Sequence, residues 1–153
     1  MTEHNPVNPQ PSTIPTVPYW FRGICLLALL WFLMDFSAFY MRITVTEEMR
    51  LLMSEQERYI HRDYPLWVNT VFAFEVFGGL LGSLALLLKR RLALGLFGLS
   101  LFGVLAQSGY VYFISDAVEV LGSPMIFMPL LSIAIGSLMM ALAKGAISRQ
   151  WLH

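Results

Sequence analysis

The sequence predicts an all-α membrane protein, a four-transmembrane-helix bundle with a short amphipathic extracytoplasmic helix between spans 1 and 2. Of its 153 residues, 57% are hydrophobic and only 13% are charged, a composition too apolar for a soluble domain of this size. Four apolar runs each reach the length of about 20 residues that crosses the hydrocarbon core of a bilayer. Each run is predicted to be helical, because a spanning segment must satisfy its own backbone hydrogen bonds.

A polar tail precedes the first span. Residues 1–18 hold five of the eight prolines in the chain and can bury too little apolar surface to fold, so they are predicted to form a disordered, Pro-rich cytoplasmic tail. A docking motif for a partner is the alternative. Residues 19–153 are predicted to form one transmembrane domain, with spans at about Tyr19–Met41, Leu66–Leu88, Leu92–Ile114 and Pro124–Ala143.

Basic residues are distributed unevenly between the two ends of the predicted bundle. The short turn between spans 2 and 3 is Lys89-Arg90-Arg91, whereas the connection 115–123 contains two acids and no base. Short loops next to helix ends carry most of the topological weight of lysine and arginine. Both termini are therefore predicted to be cytoplasmic.

The loop between spans 1 and 2, residues 42–63, has a helical pattern of its own. Thr44 and Glu47 have the spacing of a capping box, and apolar residues recur after them at helical intervals. This pattern predicts one amphipathic helix of about four turns on the extracytoplasmic side. Such a helix is either a lid over the bundle or a surface helix that hides its apolar stripe.

Polar side chains of different spans fall at one predicted depth. With 1.5 Å of rise per residue, Asp35 lies about 9 Å, Glu75 about 13 Å and Gln107 about 10 Å from the outer ends of their helices, and Ser132 is at a similar level. Tyr110 shares the small and polar stripe of the third span with Gln107. The sequence thus predicts a polar cluster in the outer half of the bundle.

The two acids of this cluster require an explanation. A charged group costs about 2.5–3.5 kcal/mol at the centre of a membrane, and no lysine or arginine is expected at the depth of these acids to pair with them. Protonation, hydrogen bonding and hydration are the alternatives. Functionally, Glu75, Asp35, Gln107 and Tyr110 are interpreted as a site for a proton or a small solute; structurally, the acids would serve only to fix helix register.

Small residues predict close helix packing. Gly78 with Gly82, and Gly79 with Ser83, form small-xxx-small patterns that let helices approach closely. A second set on the third span suits the tight Lys89-Arg90-Arg91 hairpin that brings spans 2 and 3 together: Gly95, Gly98 and Gly103. Spans 2 and 3 are expected to pack antiparallel within the chain first, although packing against another chain stays open.

Other kinds of chemistry have little support in the sequence. Ten basic and ten acidic residues give a net charge of zero, with no basic patch for nucleic acid. The one cysteine, Cys25, has no partner in the chain, and the three histidines lie in separate segments. No catalytic, cofactor-binding or metal-binding residue is predicted, so the protein is not expected to be an enzyme.

Several short motifs resemble those of a family of small four-span bacterial inner-membrane proteins commonly labelled "sugar transporter". The resemblance covers most of the chain from about Trp31 onward and includes Pro65-Leu66-Trp67, Val76–Ser83, Leu86–Arg91, Leu99-Ser100-Leu101, Gln107, Val118-Glu119-Val120 and Met128-Pro129. It implies a multi-pass protein of the bacterial cytoplasmic membrane with a transport function. The residues themselves do not indicate a sugar, because a few aromatic and polar side chains occur in any bundle.

Two functional classes follow from these patterns. In the first, the protein is a solute transporter or channel subunit, and since four helices enclose no wide path, a homo-oligomer is expected. In the second, it is an accessory or assembly protein that docks its glycine face on a larger membrane-protein partner, and the polar cluster is an interface. Both place the chain in the lipid bilayer.

Overall fold

The computed structural model describes residues 17–61 and 64–152. This part of the chain contains seven helices and no strand, as follows: α1 (Tyr19–Thr44), α2 (Glu47–Leu52), α3 (Glu55–Ile60), α4 (Leu66–Leu87), α5 (Leu92–Phe113), α6 (Ala117–Leu121) and α7 (Pro124–Ser148). The long helices α1, α4, α5 and α7 are each long and apolar enough to cross a membrane. The all-helical class is confirmed, and so is the predicted number of helices long and apolar enough to span a membrane.

The four long helices pack in the order α1, α4, α5, α7, with α4 and α5 as the central antiparallel pair. Their predicted boundaries are close for α4 and α5. By contrast, α1 continues past Met41 to Thr44, and α7 continues past Ala143 to Ser148. The longer α1 places Arg42 in the last helical turn instead of the loop. Most of the predicted tail, residues 1–16, lies outside the described residues.

Glycines bring α4 and α5 into backbone contact. A Cβ atom on Gly78 would lie 2.8 Å from a carbonyl oxygen of α5, and one on Gly103 would lie 2.6 Å from the backbone nitrogen of Glu75. No side chain fits in either place, because the obstacle is backbone. Ser100 adds a direct link, since its hydroxyl donates a 2.7 Å hydrogen bond to the Glu75 carbonyl oxygen. The expected antiparallel packing of these two helices is confirmed.

The remaining small residues of α4 also pack within the chain. Gly79 faces the ring of Phe32 on α1, and a Cβ atom on Gly82 would lie 3.1 Å from the ring of Phe97 on α5. Ser83 is buried, and its hydroxyl donates a 2.9 Å hydrogen bond to the Gly79 carbonyl oxygen. These residues therefore hold α1 and α5 against α4.

The second glycine set behaves differently from the prediction. Gly103 is a packing position, but added Cβ atoms on Gly95 and Gly98 would have no neighbour within 4 Å in the described part of the chain. Their proposed role in the α4–α5 hairpin is wrong. Both lie near the start of α5 but on a face that does not meet α4.

The loop between α1 and α4 holds two short helices and not one of four turns. Thr46 caps α2, accepting a 3.3 Å hydrogen bond from the Met49 backbone nitrogen. Met53 is extended and separates α2 from α3. The single amphipathic helix predicted here is therefore not observed.

The capping box of this loop is also displaced from its predicted position. Ser54 and Glu57 form it at the start of α3, each satisfying a backbone N–H of the other. Thr44 belongs to α1, and its hydroxyl donates a hydrogen bond to the Tyr40 carbonyl oxygen. Residues 62 and 63, at the end of the loop, lie outside the described part.

Candidate functional site

A cavity of about 290 Å³ lies at the end of the bundle where α3 and α6 are found. All four long helices contribute to its walls, and Ile60 of α3 with Ala117 and Leu121 of α6 line the end of it. Polar residues from each long helix line this one space: Asp35 of α1, Glu75 of α4, Gln107 of α5 and Ser132 of α7. The structure thus brings together the four side chains that the depth count placed at one level.

Glu75 is the most deeply buried of these groups, with 4% of its surface exposed. It is enclosed because the α5 backbone approaches α4 at this point, where Gly103 has no side chain to keep the helices apart. Its carboxylate lines the cavity, and Oε2 has no hydrogen-bond partner among the residues that the structure describes. The Ser100 hydroxyl donates its hydrogen bond to the Glu75 backbone oxygen and not to this carboxylate.

Two further hydrogen-bond acceptors in the cavity are also buried without a partner in the described part of the chain. Asp35 Oδ2 and Gln107 Oε1 are buried without a hydrogen-bond partner within residues 17–61 and 64–152. Asp35 also interacts electrostatically with Glu75 across the cavity. Since a buried acceptor without a donor costs about 1–3 kcal/mol, these three atoms give the cavity a lining that can accept hydrogen bonds from a donor placed in it.

Arg42 adds a cation that the sequence analysis missed. Its guanidinium lies between two rings, with Cζ 4.4 Å from the ring centroid of Tyr64 and 4.4 Å from that of Phe72. It lines the cavity and interacts electrostatically with Glu75, but the described residues show no direct ion pair between them. The expectation that no basic residue reaches the acids is wrong. A usable signal was present, since Arg42 follows Asp35 by seven residues, about two helical turns on the same face.

Tyr110 does not line the cavity. Its ring packs edge-on against Tyr64 and Trp67, with centroids 6.2 Å and 5.4 Å away. Tyr64 in turn covers the guanidinium of Arg42. Tyr110 therefore supports the wall that holds the cation, and does not meet a solute in the cavity directly.

Two loop helices are in contact at the end of the cavity. The hydroxyl of Tyr59 in α3 donates a hydrogen bond to the carboxylate of Asp116, immediately before α6. The neighbouring residues Ile60 and Ala117 line the cavity. A polar contact between surface residues thus joins α3 to the start of α6 beside the cavity.

Apolar side chains form most of the remaining walls. Val68 and Phe72 of α4, Val104 of α5, and Met128 of α7 line the space between the polar groups. No group of three or more His, Cys, Asp or Glu side chains suited to a metal ion occurs in the described residues. The fold and site together give four helices long and apolar enough to cross a membrane, with a small cavity between them that is lined by charged and polar side chains.

Comparisons with protein-family models, curated proteins and solved structures return no match for this chain. The functional conclusion below therefore depends on the geometry of the cavity.

Proposed function

We propose that this protein is a small bacterial inner-membrane solute transporter or channel subunit that uses a protonatable site around Glu75 and Asp35. The observation that carries the proposal is the carboxylate of Glu75, which is buried in a cavity lined by all four long helices and whose Oε2 has no hydrogen-bond partner among the described residues. An ionisable group inside a membrane is costly and is found where ions, protons or substrates move.

A purely structural role fits this carboxylate less well. A group that fixes helix register does so by hydrogen bonding to a neighbouring helix, and here that bond is made by Ser100 to backbone. Glycines already set the spacing of α4 and α5. The packing of α4 against α5 thus does not need the Glu75 side chain. This favours a role in which its carboxylate binds a proton or a solute in the cavity.

A complete path across the membrane needs more than one static chain. On the other side of Glu75 the bundle is filled by large side chains, including Phe32, Phe97, Leu86 and Met139, all of them buried. A solute can pass these buried side chains only if the helices rearrange, or if a second copy of the chain contributes part of the path. We therefore include a homo-oligomer in the proposal, with both termini cytoplasmic and the cavity opening to the extracytoplasmic side.

Reconstitution in liposomes tests the proposal. Purified protein is expected to take up candidate solutes along an imposed proton gradient, and Glu75→Gln, which keeps the shape of the side chain, is expected to slow this uptake at least about tenfold, equivalent to about 1.4 kcal/mol. Vesicles without flux for any solute, or equal rates for both proteins, would contradict it.

The accessory function is the second candidate, and the structure changes where its interface must be. The glycine face is occupied by α1 and α5 of the same chain, so Gly79→Leu would disturb Phe32 instead of an external partner. The outward faces of α1 and α7 carry exposed apolar side chains that suit either lipid or a partner helix. A stoichiometric membrane partner that co-purifies in mild detergent, together with flux-inactive vesicles, would favour this function.

A further inference from the structure

We infer that the ligand of this cavity is a small organic monocation with an apolar portion. The inference rests on the proposed function only in using the same cavity, and it assigns a substrate class to that site. Three observations support it: the charge of the lining, the kind of polar atom left unpartnered, and the apolar walls.

Among the described residues, the lining of the cavity holds two acidic side chains and one basic side chain. Its titratable residues are Asp35 and Arg42 on α1, Tyr64 before α4, and Glu75 on α4, and the described residues of α3, α5, α6 and α7 contribute none. With both carboxylates ionised, these side chains carry a net charge of −1. In a poorly solvated space, a monovalent cation neutralises this excess, whereas an anion would add to it.

The unpartnered atoms are mostly acceptors. Glu75 Oε2, Asp35 Oδ2 and Gln107 Oε1 come from three different helices, and an ammonium group has three N–H donors and no acceptor. The opposing donor, Arg42, lies between two aromatic rings, and its Nη1 is the one unpartnered donor beside these three acceptors in the described lining. A ligand that brings donors and positive charge therefore matches this cavity better than a neutral polyol, whose hydroxyls need donors as well as acceptors.

The walls and the size of the cavity define the rest of the ligand. Val68, Val104 and Met128 line the space beside the acids, and a bare metal ion would have no use for them. A volume of about 290 Å³ is at the small end of ligand cavities. The ligand that fits this cavity is an ammonium ion that carries one ring or a short branched chain.

Benzylammonium, with benzyl alcohol as its uncharged analogue, tests this inference. Isothermal titration calorimetry on the full-length protein in nanodiscs is expected to show saturable benzylammonium binding at least about tenfold tighter than that of benzyl alcohol or D-glucose. Glu75→Gln should weaken benzylammonium binding at least about tenfold. Arg42→Met, which keeps an apolar stem between the rings but removes the opposing charge, should tighten it. Glu48→Gln changes an exposed acid of α2 and should leave it unchanged.

The two charge changes are expected to act in opposite directions, which misfolding cannot imitate. Preferential binding of benzyl alcohol or D-glucose, or tighter benzylammonium binding by Glu75→Gln, would overturn the inference. Flux of a neutral solute in liposomes without benzylammonium binding would also overturn it, while the proposed transport function would stand. Benzylammonium binding with the predicted order of variants, in vesicles that move no solute, would support the inference and contradict transport instead.

Discussion

The burial of Glu75 depends on Gly103, because the two residues meet where α4 and α5 are in contact. The glycine lets the α5 backbone reach the backbone of Glu75, and this approach buries the acid. From the sequence, each residue had a separate explanation, one chemical and one structural. The structure shows that close packing at the glycine produces the desolvated environment of the carboxylate.

Two matched substitutions in α5 test this residue-scale contact. Gly103→Ala places a methyl group 2.6 Å from the Glu75 backbone nitrogen and is expected to destabilise the bundle by about 1–3 kcal/mol through overpacking. Gly98→Ala makes the same change in open space and should be neutral or stabilise the helix by up to about 1 kcal/mol. Thermal unfolding of both variants in detergent, followed by circular dichroism, makes the comparison. Equal midpoints for the two variants would contradict the packing described here.

At the scale of elements, the loop between α1 and α4 shows why spacing alone misplaces a helix start. Thr44 with Glu47 and Ser54 with Glu57 have the same three-residue spacing, but only the second pair forms a capping box. Thr44 is still inside α1, where its hydroxyl returns to the carbonyl oxygen of the preceding turn. A capping pattern becomes a cap only where the previous helix has ended, and the end of α1 could not be read from hydropathy.

The pKa of Glu57 gives a direct test of the observed cap. The backbone N–H and the hydroxyl of Ser54 both donate to its carboxylate, and these hydrogen bonds hold the pKa of Glu57 below its ordinary value of 4.5. Since the pKa is lowered on folding, the stabilisation is fully present above about pH 4.5 and is lost as the pH falls through the lowered value. Ser54→Ala should return the pKa toward 4.5, as measured by carboxyl carbon NMR in micelles. Thr46→Ala, which removes the cap of α2, should leave Glu57 unchanged; an identical Glu57 titration in wild type and Ser54→Ala would contradict the cap.

For the whole molecule, the sequence was sufficient for the helical class, the four spans and the pairing of α4 with α5, because bilayer thickness and backbone hydrogen bonding restrict a chain so strongly. Counting depth along the helices also grouped Asp35, Glu75, Gln107 and Ser132 correctly in space.

The rotation of each helix about its own axis was harder to predict from the sequence. Tyr110, Gly95 and Gly98 were assigned to contacts that the packing does not make, since neighbouring helices decide which face points inward. Arg42 was missed for a related reason, because its long side chain returns to the cavity from the end of α1.

Cysteine accessibility tests the proposed orientation of the whole chain. The native Cys25 is 1% exposed and gives a low background. A membrane-impermeant maleimide applied to intact cells is expected to label Glu48→Cys, at the cavity end, and to leave Ser148→Cys, at the end of α7, unlabelled until the cells are opened. The reverse pattern would contradict cytoplasmic termini.

The most direct test of the central claim is proton-coupled uptake measured side by side for wild type, Glu75→Gln and Glu48→Gln in matched proteoliposomes. If the cavity works through the Glu75 carboxylate, wild type and Glu48→Gln should show solute-dependent proton movement. The rate of this movement should be at least about tenfold lower in Glu75→Gln. Equal proton movement in all three proteins, or none in any of them, would contradict it.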